Sequence, residues 1–543
     1  MVASMLNMTD YEHERQRFEW APPARFNFAR DVIDKWAERP DLRALYWIDD
    51  HGNEVQMTYA QMAERSRRLC NVLSAAGVKQ GDTAIILLPR LVAWWEVLTA
   101  CLRMGVVASP GTTQLAPKDL AYRIEASRAA VLITDARNAA KFDGLPAATV
   151  KARLLVGGAH EGWLDYERSV AAAAPEFTAA DTAADDDALC YFTSGTTGYP
   201  KMAIQPQSYG LAHRITGHYW LDLRPDELHW NMSDTGWAKA AWSSYFGPWT
   251  CGAALFVHHA DGFDPKRMLD VLAQYPITTF CGAPTIYRML VLEDLEAWKF
   301  PHLRHCVGAG EPLNPEVIET WKQATGLVIR DGYGQTESVL LCASFPCLEP
   351  RFGSMGKPSP GIDLAVIDDD GQPLPAMREG DVAVRVKPRR PPGLFTEYRG
   401  DAERTQRAFR GDWYLTGDRA YVDADGYFWF VGRADDVILS AGYRIGPFEV
   451  ESALLEHPAV AESAVVSSPD DMRGEVVKAF VVLAPGFDGD ATLVKALQEH
   501  VKNVTAPYKY PRRIEFVDTL PKTVSGKIRR IELREREWAK PGT

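Results

Sequence analysis

Short apolar runs alternate with longer amphipathic stretches through most of this 543-residue chain. The runs at 83–88, 130–134, 153–156, 254–257, 278–281 and 305–307 have strand length, and the segments between them can hold helices. Such alternation favours parallel strands, because each connection must cross back over a sheet face, and it gives an α/β fold with parallel-type sheets. Earlier in the chain, 26–43 reads as a helix, 42–47 as a strand leading into the Asp49-Asp50-His51-Gly52-Asn53 turn, and 59–76 as a helix. The most apolar window, 83–107, is interrupted by Arg90, Glu96 and Arg103, so it reads as a strand and a packed helix rather than a membrane span. An Ala- and Asp-rich connector fills 171–187. After about residue 350 the texture changes to short strands punctuated by Gly and Pro, the mark of a β-rich subdomain. A βαβ-like tail follows, with strands at 461–466 and 477–483 and a helix at 491–504. The chain is too long for one core. A boundary near Asp435 is expected to divide a large domain, 1–434, from a small α+β domain, 435–543.

The apolar run 188–192 leads into Thr193-Ser194-Gly195-Thr196-Thr197-Gly198-Tyr199-Pro200-Lys201. Hydroxyls, glycines and an ammonium on one loop offer N–H, O–H and charge to an anion, as a triphosphate requires. A plain surface turn is the alternative reading. The loop is not a Walker A sequence, since Pro200 precedes the lysine and Met202 follows it.

Composition narrows the partners. Hydrophobic residues are 46% and charged residues 24%, and 60 bases against 72 acids leave a net charge of −12 with no long basic block. Nucleic acid is therefore not an expected partner. Bases do collect between Lys502 and Arg536, a patch suited to a small polyanion. Eight scattered cysteines without a C-x-x-C pair fit a reducing compartment better than disulfides or zinc. The first 17 residues include Asp10, Glu12 and Glu14 and have no apolar core segment, so the expected location is the cytoplasm.

Further segments carry residue types that suit nucleotide chemistry. Tyr333-Gly334-Gln335-Thr336-Glu337 combines an aromatic ring for a purine with a carboxylate for Mg²⁺. Tyr414-Leu415-Thr416-Gly417-Asp418 ends in a carboxylate after a tight turn, able to accept from ribose hydroxyls. Arg433 offers a fork of donors, and Pro521-Lys522-Thr523-Val524-Ser525-Gly526-Lys527 presents a lysine on a glycine loop. Singly, each has a bland reading as packing, turn capping or solvated surface.

In this order the segments resemble the adenylate-forming superfamily over essentially the whole chain. Within it they are most similar to medium-chain acyl-CoA synthetases, the butyrate and xenobiotic CoA ligases. The likeness extends to 110–114, 233–239, 440–449, 473–480 and 505–512. It implies a two-step ligase. A carboxylate attacks the α-phosphorus of ATP, giving acyl-AMP and diphosphate, and the CoA thiol then displaces AMP. The implied substrates are a medium-chain fatty acid or aromatic carboxylate, ATP with Mg²⁺, and coenzyme A.

The same resemblance implies the roles of residues. Thr193, Ser194, Gly195, Thr196, Thr197, Gly198, Tyr199, Pro200 and Lys201 would hold the β/γ-phosphates. Gly310, Glu311 and Pro312, with Asp331, Gly332 and Tyr333, would frame the adenine, and Gly334 and Gln335 would also bind ATP. Asp418 would serve the ribose, Arg433 the phosphate or ribose oxygens, Thr336 and Glu337 the α-phosphate and Mg²⁺, and Lys527 would be the adenylation lysine. Gln114, Ala441, Gly442, Tyr443, Arg473, Lys502, Tyr510, Pro511 and Arg512 would bind CoA, and Ala441 stands where many relatives carry Ser or Thr. Arg444, Thr336 and Trp237 would meet the acyl group, and Asp435 would be a hinge; apart from the resemblance, small residues beside an aromatic make Trp237, Ala238 and 308–310 candidate pocket walls, with core packing the alternative for Trp237. Two alternatives stay open at this point: transfer of the acyl group to a carrier-protein thiol, and an inactive homologue kept for binding.

Overall fold

The structure, a computed structural model, describes residues 6–193, 200–440, 443–470, 473–522 and 528–539; the Arg444 side chain also lies outside the description. A nine-stranded sheet runs in the order Lys357–Pro358, Leu340–Ala343, Ile329–Gly334, His305–Ala309, Thr279–Gly282, Leu228–Asn231, Ala254–His259, Arg43–Asp49, Glu54–Thr58. Its inner strands pair in parallel and only its outer ones turn antiparallel. An eight-stranded sheet runs Tyr398–Arg399, Lys201–Pro206, Asp187–Thr193, Val107–Pro110, Thr83–Leu87, Val131–Asp135, Ala152–Val156, Leu164–Asp165. It too is parallel except at the Lys201–Pro206 and Tyr398–Arg399 edge. Every residue of Val131–Asp135 is buried, as expected of a parallel strand covered on both faces.

The helix Val92–Met104 follows its strand as the interrupted apolar window predicts, and it is buried almost throughout. Of the three charges that break the window, Arg90 donates to the Met232 carbonyl at 2.8 Å and the other two are ion-paired. Glu96 pairs with Arg65 at 2.8 Å and accepts from the Tyr166 hydroxyl, while Arg103 pairs with Asp34 at 2.7 Å. Leaving either ion without its partner would be costly in such surroundings.

Two expectations need correction. The helix expected over 26–43 is confined to Ala29–Ile33 and Asp34–Ala37. Pro40 disfavours helical backbone at Arg39, and the Phe26 N–H is taken by the Thr182 carbonyl. The tail strands expected at 461–466 and 477–483 are longer, Val460–Asp470 and Gly474–Leu483, and pair antiparallel rather than flanking a helix. The βαβ unit is instead Gly474–Leu483, helix Ala491–Val504 and Arg513–Phe516, whose two strands are parallel.

The region after residue 360 forms an all-antiparallel five-stranded sheet around Trp413–Val422. Beyond it, the apolar side chains of Ile438, Val450, Val465, Val477, Val481, Leu497 and Val501 make a core of their own. The two parts touch where Phe430 meets Phe448 and where Asn314 Nδ2 donates to Ser452 Oγ at 3.1 Å.

Candidate active site

Thr193 and Lys201 face each other as the last cross-strand pair of an antiparallel ladder, so the loop between them leaves from a fixed base. Residues 194–199 lie outside the described part, as do Ala441, Gly442 and Lys527. Thr193 Oγ1 is buried and has no hydrogen-bond partner among the described residues. Pro200 lends its carbonyl to the Tyr122 hydroxyl at 3.1 Å. Lys201 Nζ sits 4.9 Å from the centre of the Tyr398 ring, and burial followed by the nearby Arg404 charge lowers its pKa.

Tyr398 also donates its hydroxyl to Glu337 Oε1 at 2.8 Å. The neighbouring Thr336 carbonyl accepts from Gln205 Nε2 at 2.7 Å. Glu337 thus joins a group that contains Lys201, from a segment more than a hundred residues away. No group of three or more His, Cys, Asp or Glu side chains able to hold a metal occurs among the described residues. Mg²⁺ is content with one or two carboxylates when phosphate oxygens and water supply the rest, so a single Glu337 fits that ion.

Asp418 is the centre of a second group. The Tyr333 hydroxyl donates to Oδ2 at 2.5 Å, Gln335 Nε2 to Oδ2 at 2.7 Å, and Arg433 Nη1 to Oδ1 at 3.0 Å. Gln335 is itself held, donating to the Thr416 carbonyl and accepting from the Tyr414 hydroxyl. Oδ2 thus already takes two donors and Oδ1 one. The expected tight turn before Asp418 is absent. The residue lies within the strand Trp413–Val422, where Gly417 takes φ +74 and breaks the regular ladder.

Asp331, Gly332, Tyr333 and Gly334 belong to the strand Ile329–Gly334. A Cβ on Gly332 would fall 2.5 Å from Trp220, and one on Gly334 2.3 Å from Trp242, so glycine lets this strand lie against both indoles. Next to it Gly310 turns with φ +108. Glu311 pairs with Arg288 at 3.1 Å and accepts from Thr285, and Pro312 follows. Lys239 Nζ donates to the Ala309 and Gly282 carbonyls at 2.7 and 3.1 Å, tying two strand ends together below Gly310. Trp237 is half-buried, and its Nε1 has no acceptor among the described residues.

Burial pushes the Asp331 carboxyl up to about 8, against hydrogen bonds from Gly332 and Leu313 and the Lys239 charge. The unfolded chain would release this proton near pH 3.9. Between about pH 4 and pH 8 the folded state therefore holds a proton the unfolded state has lost, and stability falls as pH rises, by at most about 1.4 kcal/mol per pH unit. The variant Asp331→Asn is expected to lose that slope. Denaturant unfolding at several pH values checks it, and an unchanged slope would contradict the assignment.

The remaining sites lie elsewhere. Gln114 is exposed, with its N–H on Thr112 Oγ1. Tyr443 is exposed and stacks on Tyr508 with centroids 4.3 Å apart. Lys502 Nζ lies 4.4 Å and the Arg512 guanidinium 4.9 Å from the Tyr510 ring centre, and Arg512 donates to the Tyr510 hydroxyl. Pro511 accepts from Gln498, while Arg473 is exposed with its N–H on Asp470. Much of the basic tail turns out to be ion-paired: Lys509 with Glu449, Lys522 with Glu462, Arg530 with Glu451 and Arg536 with Glu515. Asp435 lies 3.8 Å from Arg433.

Three contributors had no role assigned from sequence: Tyr398, Gln205 and Lys239. Tyr398 and Gln205 belong to the antiparallel edge of the eight-stranded sheet, and only the tertiary pairing brings that edge to Glu337. Lys239 stands in the 233–239 segment, but no local pattern marks where its ammonium ends.

Comparison with known proteins shows the family. Residues 33–398 match the AMP-binding enzyme family, and residues 449–527 match the AMP-binding enzyme C-terminal domain. The chain is 49% identical to acyl-coenzyme A synthetase ACSM3, mitochondrial, of Homo sapiens, over 99% of this chain and 94% of that protein. Among solved structures, the anthranilate CoA ligase AuaEII in complex with anthranoyl-AMP superposes with a TM-score of 0.87 at 30% identity, covering 95% of this chain and 98% of that one. Brucella canis acyl-CoA synthetase gives 0.76 at 34% identity, over 98% of this chain and 100% of that one. No helix among the described residues is long and apolar enough to cross a membrane. With its sheets, its Asp418 and Glu337 groups and these likenesses, the chain belongs to the AMP-binding enzyme family, as an AMP-forming acyl-coenzyme A synthetase.

Proposed function

We propose that the carboxylate substrate is a medium-chain fatty acid or an aromatic acid, converted with ATP and CoA to acyl-CoA, AMP and diphosphate through an acyl-adenylate. The observation that carries the site reading is the convergence of Tyr333, Gln335 and Arg433 on Asp418. A buried carboxylate held in one orientation by three donors is suited to accept from a ribose hydroxyl. Gly310 to Pro312 and Asp331 to Gly334 frame the adenine in this reading, and Thr193 to Lys201 hold the outer phosphates. Negative charge builds on the phosphates as the acyl oxygen attacks, and fixed cations stabilise it. Mg²⁺, when bound, supplies Lewis acidity to the phosphate oxygens, and Glu337 with Thr336 would hold it. Lys527 neutralises the α-phosphate in the first step.

The division into 1–434 and 435–543, with Asp435 as pivot, is supported by the separate apolar core beyond residue 437. Rotation about the pivot would exchange the lysine loop for the face carrying Ala441, Gly442 and Tyr443. CoA as acceptor is favoured by Tyr510 between Lys502 and Arg512, an aromatic face with flanking cations that fits an adenine nucleotide. Arg473 and Gln114 would complete that site, and Trp237, Arg444 and Thr336 would contact the acyl group. Cytoplasmic location is the compartment proposed, on eight free thiols.

Substrate range tests the reading. Purified protein with ATP, Mg²⁺ and acids from acetate to decanoate plus benzoate is expected to give AMP and acyl-CoA, with the best rate between about C4 and C8 or at benzoate. A peak at acetate would overturn the substrate class. Acyl-AMP accumulating without thioester would replace CoA by a carrier-protein thiol.

A further inference from the structure

Between the two large sheets lies a small cavity lined by Arg90, Trp94, Asn231, Ser233, Thr235 and Ser244, among others. It sits just past the strand Thr83–Leu87 of one sheet and at the end of Leu228–Asn231 in the other. Carboxyl ends of parallel strands are where open α/β sheets take ligands. On the far wall the helical segment Trp242–Phe246 is broken at Ser244, which takes φ −126 and ψ 18. Two lining N–H groups, Arg90 Nε and Trp94 Nε1, are buried and have no protein partner among the described residues. Both side chains are otherwise fixed. Arg90 Nη2 donates to the Met232 carbonyl, and Trp94, 1% exposed, packs edge-on against Trp95 and Tyr245. The hydroxyls nearby are committed, Thr235 Oγ1 to the Leu88 carbonyl at 2.6 Å and Ser233 Oγ to Asn231 Oδ1 at 3.1 Å. Arg90 has no ion pair among the described residues. Asp234 acts on it only from farther off, being turned to the Gly236 N–H and Thr112 Oγ1, and burial lowers the Arg90 pKa against that charge.

We infer that this cavity is a binding site for a single monatomic anion of chloride size, held by Arg90 Nε and Trp94 Nε1. A guanidinium in a water-poor place without a carboxylate is costly, and a counter-charge beside it removes most of that cost. A water molecule would accept from both N–H groups but leave the charge uncompensated. The cavity leaves about 10 Å³ for the centre of a water-sized sphere, room for one such occupant. Sulfate, phosphate and carboxylates, with several heavy atoms each, exceed that space. The helix Val92–Met104 begins between the two donors, and its N-cap Leu91 offers no side-chain acceptor, so the positive helix end adds to the same field. The bound ion joins the turn that leaves one sheet to the 231–235 segment that leaves the other, so its binding is read as stability. None of the residues assigned to ATP, CoA or the acyl group takes part.

Thermal unfolding of the full chain at one ionic strength in sodium chloride, bromide or gluconate tests the site, alongside Arg90→Met and Trp94→Phe. Chloride and bromide are expected to raise the wild-type midpoint saturably, by about 2 °C or more over gluconate. Arg90→Met should abolish that difference. Trp94→Phe keeps the ring bulk and loses the N–H, and should shift the halide titration to several-fold higher concentration. Crystals of the wild type grown in bromide are expected to show an anomalous peak within hydrogen-bond reach of Arg90 Nε and Trp94 Nε1. Should Arg90→Met fold poorly, the Trp94→Phe titration and the bromide peak decide. Equal midpoints in the three salts, an unchanged halide shift in the variants, or no bromide in the cavity would overturn the anion site and leave the cavity to water.

Discussion

Lys527→Ala is expected to slow acyl-adenylate formation by at least ~100-fold while thioester formation from supplied acyl-AMP stays near the wild-type rate. The size follows from the chemistry: removing one fixed donor or cation from a site of developing charge costs about 2.7–4 kcal/mol of barrier. The described cations near the site cannot easily replace it. Arg433 is engaged with Asp418, and Lys201 is held over Tyr398 with its charge disfavoured by burial and by Arg404. The asymmetry follows from the proposed rotation about Asp435, which carries the lysine loop away from the α-phosphate before the thiol attacks and AMP leaves. Pyrophosphate exchange and single-turnover thioester formation measure the two halves separately. Equal loss in both would remove the lysine from its assigned role.

Asp435→Pro is the second large effect. Proline fixes φ near −65° and so removes one of the two soft rotations a pivot residue needs. The substitution removes no backbone hydrogen bond seen among the described residues, because the Asp435 N–H makes none, whereas those of Ala434, Asp436 and Val437 do. The expected outcome is pyrophosphate release within a few fold of wild type and thioester formation reduced by ~100-fold or more, since closure onto the second constellation is blocked. Acyl-AMP should accumulate on the enzyme and be visible by mass spectrometry. Normal thioester synthesis would show that the pivot lies elsewhere.

The parallel sheets were legible because their strands are buried on both faces and so appear as continuous apolar runs, as at Val131–Asp135. The base of the loop 194–199 was legible for the same reason, since Asp187–Thr193 is one such run. Local patterns were weaker where tertiary contacts decide. Pro40 ends the helix before residue 43, although the apolar spacing continues past it. Asp418 was legible as a carboxylate after a glycine, but the strand that holds it could be recognised only from its partners Gly380–Arg385 and Phe428–Arg433. In the candidate site, Tyr333, Gln335 and Asp418 come from two motifs that each look ordinary. Tyr398 carries no mark at all, because its position beside Glu337 and Lys201 is set by an antiparallel sheet edge whose strands are two hundred residues apart. The basic tail shows the opposite failure: composition suggested a free cationic patch, and side-chain geometry pairs most of it with carboxylates.

The most direct test of the account follows oxygen. A carboxylate labelled with ¹⁸O in both positions, incubated with the protein, ATP, Mg²⁺ and CoA, passes one labelled oxygen to AMP if an acyl-adenylate forms, and keeps the other in the thioester. The account predicts AMP carrying one ¹⁸O, with unlabelled diphosphate. Label in orthophosphate together with ADP would mean attack at the γ-phosphorus and an acyl phosphate, and would contradict it.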